Sequence, residues 1–193
     1  MHILITNDDG IRSEGLQRLV QWAQKLGEVT VAAPKVEQSG KSHGIELKHP
    51  FMVHEVELEP GITVWSVDST PADCVRFGIV GLQKEYGLVI SGINKGFNLG
   101  HDIAYSGTVG AIFEAARLGV PAIAFSMDYE ANAEDVIPYL DGVLDFMNEK
   151  GLWDCGSLYN VNVPNNAEGI CITRQGGMFY SDAFEKREGD YYI

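Results

Sequence analysis

An α/β fold, a Rossmann-like three-layer αβα sandwich around a mostly parallel sheet, is predicted by three features of the sequence. The first 33 or so residues read strand, helix, strand, the repeating unit of a parallel sheet with a right-handed crossover. The same alternation of strand and helix resumes between Gly87 and Ser126. Many of the 22 glycines crowd between Gly92 and Gly110, just ahead of a helix, as in loops that receive ligands. A length of 193 residues with 45% hydrophobic content suits one domain with a real core, and no repeat or linker divides it.

Met1 to Thr6 reads as a short buried strand. From Ser13 to Leu26, Leu16, Leu19, Val20, Ala23 and Leu26 recur at helical spacing, and Gly27 stops the helix. Val29 to Ala33 is the second strand, closed by Pro34. Ile45 to Lys48, Phe51 to Leu58 and Ile62 to Val67 read as extended, with alternation in MVHEVEL that favours a half-exposed antiparallel excursion. Thr70-Pro71-Ala72-Asp73 combines an N-cap, a proline at the first helical position and an acid three residues after the cap, opening a helix to about Leu82. Gly87 to Ser91 and Pro121 to Ser126 read as strands around a helix from Thr108 to Leu118. Asn132 to Lys150 reads as a helix with Pro138 in its first two turns. Leu158 to Val163 and Ile170 to Thr173 are strand-like, and from Arg174 the pattern is lost.

The net charge of −13 opposes the attraction to phosphate backbones that nucleic-acid binders need, so a DNA or RNA polymer is not an expected partner. A small phosphorylated substrate stays in play, because a bound divalent cation reverses the sign of a local field. Cys74, Cys155 and Cys171 are odd in number and lack a CxxC spacing, which argues against a disulfide framework or structural zinc and for a reducing cytoplasm. The apolar stretch of MHILITNDDG is too short for a signal peptide or a membrane span.

Ligands in parallel α/β sheets bind beyond the carboxyl ends of the strands. Three such ends carry polar residues: Asn7-Asp8-Asp9-Gly10, Gln38-Ser39-Gly40 and Gly92-Ile93-Asn94. Each alone is an ordinary turn or loop. Together they offer two carboxylates, a hydroxyl and an amide oxygen, an all-oxygen set suited to one magnesium or manganese ion rather than zinc. Downstream, Ser106, Gly107 and Thr108 bring amides and two hydroxyls to a helix N-terminus, a seat for phosphate, although a capped glycine-rich turn would look the same. His43 is a candidate general acid, Lys41 and Lys95 are candidates to offset substrate charge, Asn7, Asn98 and Asp102 to orient the metal-bound water or its ligands, and Asn7 and Asn98 also to bind the substrate phosphate. Thr70 to Asp73 is explained as a helix cap, and Cys74 as core. Neither a Walker A loop nor GxGxxG is present, which disfavours ATP hydrolysis and hydride transfer. The DxD arrangement of haloacid dehalogenase-type phosphatases is missing too.

The blocks ILITNDDGI, APKVEQSGKSHGIEL, STPADCV, SGINKGFNLGHDIAYSGTVGA, NVNVP and ITRQG resemble, in order and over nearly the whole chain, those of the SurE 5'-nucleotidases. The resemblance implies one divalent metal on Asp8, Asp9, Ser39 and Asn94, with Asp8 and Asp9 at the centre of catalysis. It also implies hydrolysis of nucleoside 5'-monophosphates, in some members also 3'-monophosphates and short polyphosphate, by a homodimer or homotetramer. Ser42-His43-Gly44 stands where the family usually has GHS, and Ser69 where it usually has glycine before TPADC. Family members usually continue past a strand like YYI through an exchanged arm, so a nucleotide-binding module without turnover is the alternative. Residues 174–193, with Phe179, Tyr180, Phe184, Tyr191 and Tyr192, are expected to form an arm that packs on a second subunit.

Overall fold

The computed structural model describes residues 1–181 and 183–189. Its centre is a seven-stranded sheet of order β3-β4-β2-β1-β5-β6-β7. The strands are β1 (His2–Thr6), β2 (Glu28–Pro34), β3 (Val53–Val56), β4 (Thr63–Val67), β5 (Leu88–Lys95), β6 (Ala122–Met127) and β7 (Leu158–Val163). All neighbours run parallel except β3, which pairs antiparallel with β4 at one edge. That is the half-exposed excursion the alternation predicts.

Helix α1 (Glu14–Ala23) starts where the Ser13 hydroxyl accepts the Leu16 amide, and buries Leu16, Leu19, Val20 and Ala23. Each of its larger apolar side chains contributes about 1.5–3 kcal/mol by leaving water. Helix α4 (Ala133–Glu149) packs beside it on the same face of the sheet, with Val136, Leu140, Val143 and Met147 inward. Pro138 is the sixth residue of α4, within its first two turns as expected. Helices α2 (Pro71–Arg76) and α3 (Gly107–Arg117) cover the opposite face through Cys74, Val75, Val109, Ile112 and Ala115. The result is the predicted three-layer sandwich. Among the described residues no helix is long and apolar enough to cross a membrane.

Four local expectations change. The helix opened by Thr70 widens after Arg76 into a π-helical turn, Phe77–Gly81, closed by a bond from the Leu82 amide to the Phe77 carbonyl. Ile45 to Lys48 forms no strand, because the Glu46 carboxylate takes the amides of Lys48 and His49 while the Glu46 amide goes to Asp73; local bonds of this kind replace a ladder. Strand β5 runs four residues beyond Ser91, with an irregularity in which Gly92 and Ile93 oppose Phe125 alone. Ile170 to Thr173 is exposed and forms no strand. After it the chain returns over the 3-10 turn Gly100–Ala104, where the Gln175 amide donates to the Gly100 carbonyl and the His101 amide to the Gly177 carbonyl.

The expected arm, residues 174–193, is therefore held against its own chain as far as Tyr180, and the described residues give it no separate body. Tyr191 and Tyr192 lie outside the described residues.

Candidate active site

From β1 the chain proceeds outward to β2 and β4 on one side, and from β5 to β6 and β7 on the other, so the strand order reverses between β1 and β5. A crevice opens at such a reversal beyond the strand ends. Asp8 and Asp9 leave β1 on one side of it, and Asn94 lies near the end of β5 on the other. Extra residues in one strand bend it and re-aim its side chains. The irregularity at Gly92 and Ile93, whose peptide bond is cis, comes immediately before Asn94.

The turn after β1 is locked from below. The Asn7 amide donates to the Gly10 carbonyl at 3.0 Å and to the Ser13 hydroxyl at 2.8 Å, joining the turn to the cap of α1. Gly10 takes φ 95°, a value that favours glycine. The Gln38 amide bonds the Asp8 carbonyl at 2.7 Å, which ties the Ser39 loop to the same turn. Asn7 thus braces the site and does not line the crevice.

Asp8 is only 4% exposed. The Thr108 hydroxyl donates to its Oδ1, and the start of α3 lies against it so closely that a Cβ on Gly107 would stand 2.8 Å from the Asp8 Cβ. Burial pushes the Asp8 carboxyl above the usual range despite the bonds from Thr108. Asp9 accepts the Lys95 amide at 3.2 Å, and burial first, then the charge of Asp8, push it to about 6. Glu37 adds negative potential to both. Two neighbouring carboxylates that resist ionisation become far easier to ionise beside a cation.

Asp8, Ser39, Asn94, Lys95, Asn98 and Ser106 line one cleft of about 300 Å³, with Gly40, Phe97, Asp102, Tyr105 and Tyr180. Asp9 lies beside it through Lys95. The Asn94 amide nitrogen is committed to the Gly96 carbonyl at 2.7 Å, leaving the side-chain oxygen as an acceptor. The Ser39 hydroxyl donates to Glu37 at 2.7 Å and keeps its lone pairs. Among the described residues no three of His, Cys, Asp and Glu gather at one point. The donor set is the mixed oxygen set expected of a hard cation, and the raised carboxyl pKa values fit its presence.

The predicted phosphate seat is divided. Ser106 lines the cleft and accepts the Val109 amide at 3.1 Å as the cap of α3. Gly107 supplies the close approach to Asp8, while the Thr108 hydroxyl is given to Asp8 and so holds a carboxylate. Asn98 faces the cleft, its amide nitrogen bonded to Ser126 at 2.8 Å.

His43 does not reach the cleft. Its Nε2 lies 2.7 Å from Glu114 of α3, which also meets Arg76 and Arg117, and its ring stacks on Phe113. It fastens the Ser39 loop to α3 together with Ser42, whose amide donates to the Tyr105 carbonyl. Lys41 is exposed outside the cleft, and the Lys95 ammonium lies over the Tyr129 ring. Asp102 accepts the amides of Phe179 and Tyr180, whose bonds hold its carboxyl below the usual range. Sequence reasoning passed over Glu37, Phe97 and Tyr105, and treated Tyr180 only as part of an arm. No spacing signal marks Phe97, Tyr105 and Tyr180, which meet at the cleft only through the fold, and Glu37 stands outside the lining, acting through the charge it adds to Asp8 and Asp9.

The survival protein SurE family model matches residues 3–182. The chain belongs to the SurE family. It is 41% identical over its full length to a protein of Thermoanaerobacter sp. strain X514, and 40% to one of Thermosipho melanesiensis, both named 5'-nucleotidase SurE. It spans 80% and 79% of those SurE proteins. The crystal structure of SurE from Aquifex aeolicus superposes with a TM-score of 0.82 at 33% identity, covering all of this chain and 81% of that one.

Proposed function

We propose that this SurE chain is a divalent-metal-dependent 5'-nucleotidase, one phosphatase domain that converts nucleoside monophosphates to nucleoside and phosphate. The nucleotidase names of relatives about 40% identical over the whole chain support the activity. The observation that carries the mechanism is the pair Asp8 and Asp9, two carboxyls pushed up by burial at the reversal of the strand order, facing a capped helix N-terminus. Asp8, Asp9, Ser39 and Asn94 would hold one magnesium or manganese ion. When bound there, it would supply Lewis-acid polarisation of the phosphoryl group and a more acidic water.

The chain's own groups do the rest. Thr108 fixes the rotamer of Asp8, so the carboxylate needs no reorganisation on binding. Ser106 and the Gly107 amide stand at the positive end of α3, where phosphate charge is stabilised, and Asn98 adds polar groups across the cleft. The assembly is read as a homodimer or homotetramer, supported by the exposed Ile172, Met178, Phe179 and Phe184. Three free cysteines, two of them exposed, fit a reducing cytoplasm.

The test is phosphate release from a panel of 5'- and 3'-nucleoside monophosphates, in chelator and after adding magnesium or manganese. Release that needs the ion and prefers a 5'-monophosphate supports the reading. Release that persists in chelator overturns the metal mechanism, and tight nucleotide binding with no release returns the module without turnover.

A further inference from the structure

The Asn160-Val161-Asn162-Val163-Pro164 block has no part in the site as described so far. Its first four residues lie in β7, the strand at the sheet edge. Val161 and Val163 pack into the core shared with α1 and α4, and Leu158 packs with the core under α3. By alternation, Asn160 and Asn162 continue the Leu158 face. Two amides thus occupy positions where that face would otherwise carry apolar side chains.

Their partners are all on one residue. The Asn98 amide donates to the Asn162 Oδ1 at 2.8 Å, and the Asn162 Nδ2 returns a bond to the Asn98 carbonyl at 2.9 Å. The Asn160 Nδ2 reaches the same carbonyl at 2.9 Å. One side chain therefore meets both main-chain groups of Asn98, as a neighbouring strand would, and a second reinforces it. The Asn98 side chain is itself held by Ser126 of β6. Because Asn98 is buried, its main-chain groups need these partners. No regular element supplies them, since the residues after Lys95 belong to no strand or helix until Gly100.

We infer that Asn162, seconded by Asn160, is a positioning residue for phosphate binding: it clamps the main chain of Asn98 so that the Asn98 side chain meets the substrate phosphate across from Ser106. The inference rests on the proposed role of Asn98 as a phosphate-binding residue. Neither Asn160 nor Asn162 lines the cleft, so both act through Asn98.

The experiment measures the inhibition constant of inorganic phosphate and the KM and kcat for a nucleoside monophosphate. It is run on the wild type, Asn98→Ala, Asn162→Leu and the double variant, with thermal midpoints and the manganese concentration for half activation. Asn162→Leu is neutral and of similar size, so it removes both bonds without adding charge. Asn162→Ala serves in its place if the leucine variant does not fold. Asn162→Leu is expected to raise the phosphate inhibition constant and KM about tenfold, with kcat and manganese activation within about twofold. In the double variant the losses should not multiply, because both changes remove one contact. Unchanged phosphate inhibition in Asn98→Ala overturns the role of Asn98 and the clamp together. A loss in Asn98→Ala with wild-type inhibition in folded Asn162→Leu overturns the clamp alone, as do losses that multiply or a loss carried by manganese activation.

Discussion

On the side of the cleft built by β1 and α3, main chain and side chain approach so closely that only glycine fits. Gly107 admits Asp8, and a Cβ on Gly110 would stand 2.2 Å from the Ser42 carbonyl. On the other side, residues 95–102 are held by the side chains of Ser126 in β6, Asn162 in β7 and Gln175, and by the Phe179 amide that donates to Asp102. The first wall is fixed by packing and tolerates no added volume. The second is fixed by individual hydrogen bonds that can be removed one at a time. Charge follows the same division, since the packed wall carries the carboxylates and the bonded wall mostly amides.

The largest effect should come from the packed wall. Asp8→Asn keeps the shape and an acceptor for Thr108 but removes the charge, and should lower metal-dependent kcat/KM by roughly 10³-fold. Its thermal midpoint in chelator should equal or exceed that of the wild type, because a carboxylate that burial makes hard to ionise has been replaced by a neutral group. Retained turnover in a folded variant would take Asp8 out of the site. Gly107→Ala should rank next. Its methyl would press on Asp8 and on Pro71 at 3.2 Å, so a loss of about 10–100-fold and a destabilisation of about 1–3 kcal/mol are expected. A wild-type rate and midpoint would show that this wall can relax.

A pH measurement sharpens the contrast without changing the packing. Asp9 rises from the usual 3.8 to about 6 in the folded chain, so the fold binds its proton more tightly than the unfolded chain does. The contribution of Asp9 to stability is therefore fully present below the unfolded value and is lost as pH rises through about 6. Glu114 acts in the opposite sense, since bonds from Arg117 and His43 outweigh its burial and hold its pKa low. The informative quantity is thus a difference. Between about pH 4 and 6 in chelator, wild-type stability relative to Asp9→Asn should fall as pH rises and then level off, and manganese should reverse that fall. A flat difference from denaturant melts would mean that Asp9 is better solvated than its surroundings indicate.

The packed wall was also the more legible in the sequence. β1, α1 and β2 follow from periodicity and breakers, and the strand-end rule alone brings Asp8, Ser39 and Asn94 to one cleft. The bonds that hold the second wall were not legible, although Asn98 and Asp102 stood out as candidates, because Asn160 and Asn162 alternate with valines as the polar face of any half-exposed strand does. Only the path of residues 95–100 across them gives those amides partners. His43 misled for a related reason: nothing local announces Glu114, 71 positions away, as its partner. Thr108 reads equally well as a phosphate ligand or a brace for Asp8 until the depth of Gly107 is known.

The smallest effect on chemistry, and the one that decides the role of the chain's last described segment, concerns Asp102. Its carboxylate accepts the amides of Phe179 and Tyr180, which keeps Tyr180 at the cleft and the segment against its own chain. These bonds are exposed, so Asp102→Ala should change stability by less than about 1 kcal/mol. KM should move a few-fold at most, while limited proteolysis after Phe179 or Tyr180 should speed up. The same segment leaves the large apolar side chains of Ile172, Met178 and Phe184 exposed at 69%, 78% and 86%. If these side chains pack on a second subunit while Asp102 anchors the segment's base, light scattering should give at least a dimer for the full chain. A chain ending at Gln175 should then be smaller, and Asp102→Ala should weaken association without abolishing it. A monomer in all three, with equal thermal midpoints, would reduce the segment to a flap over the cleft; loss of nucleotide affinity in the shortened chain would then report Tyr180 alone.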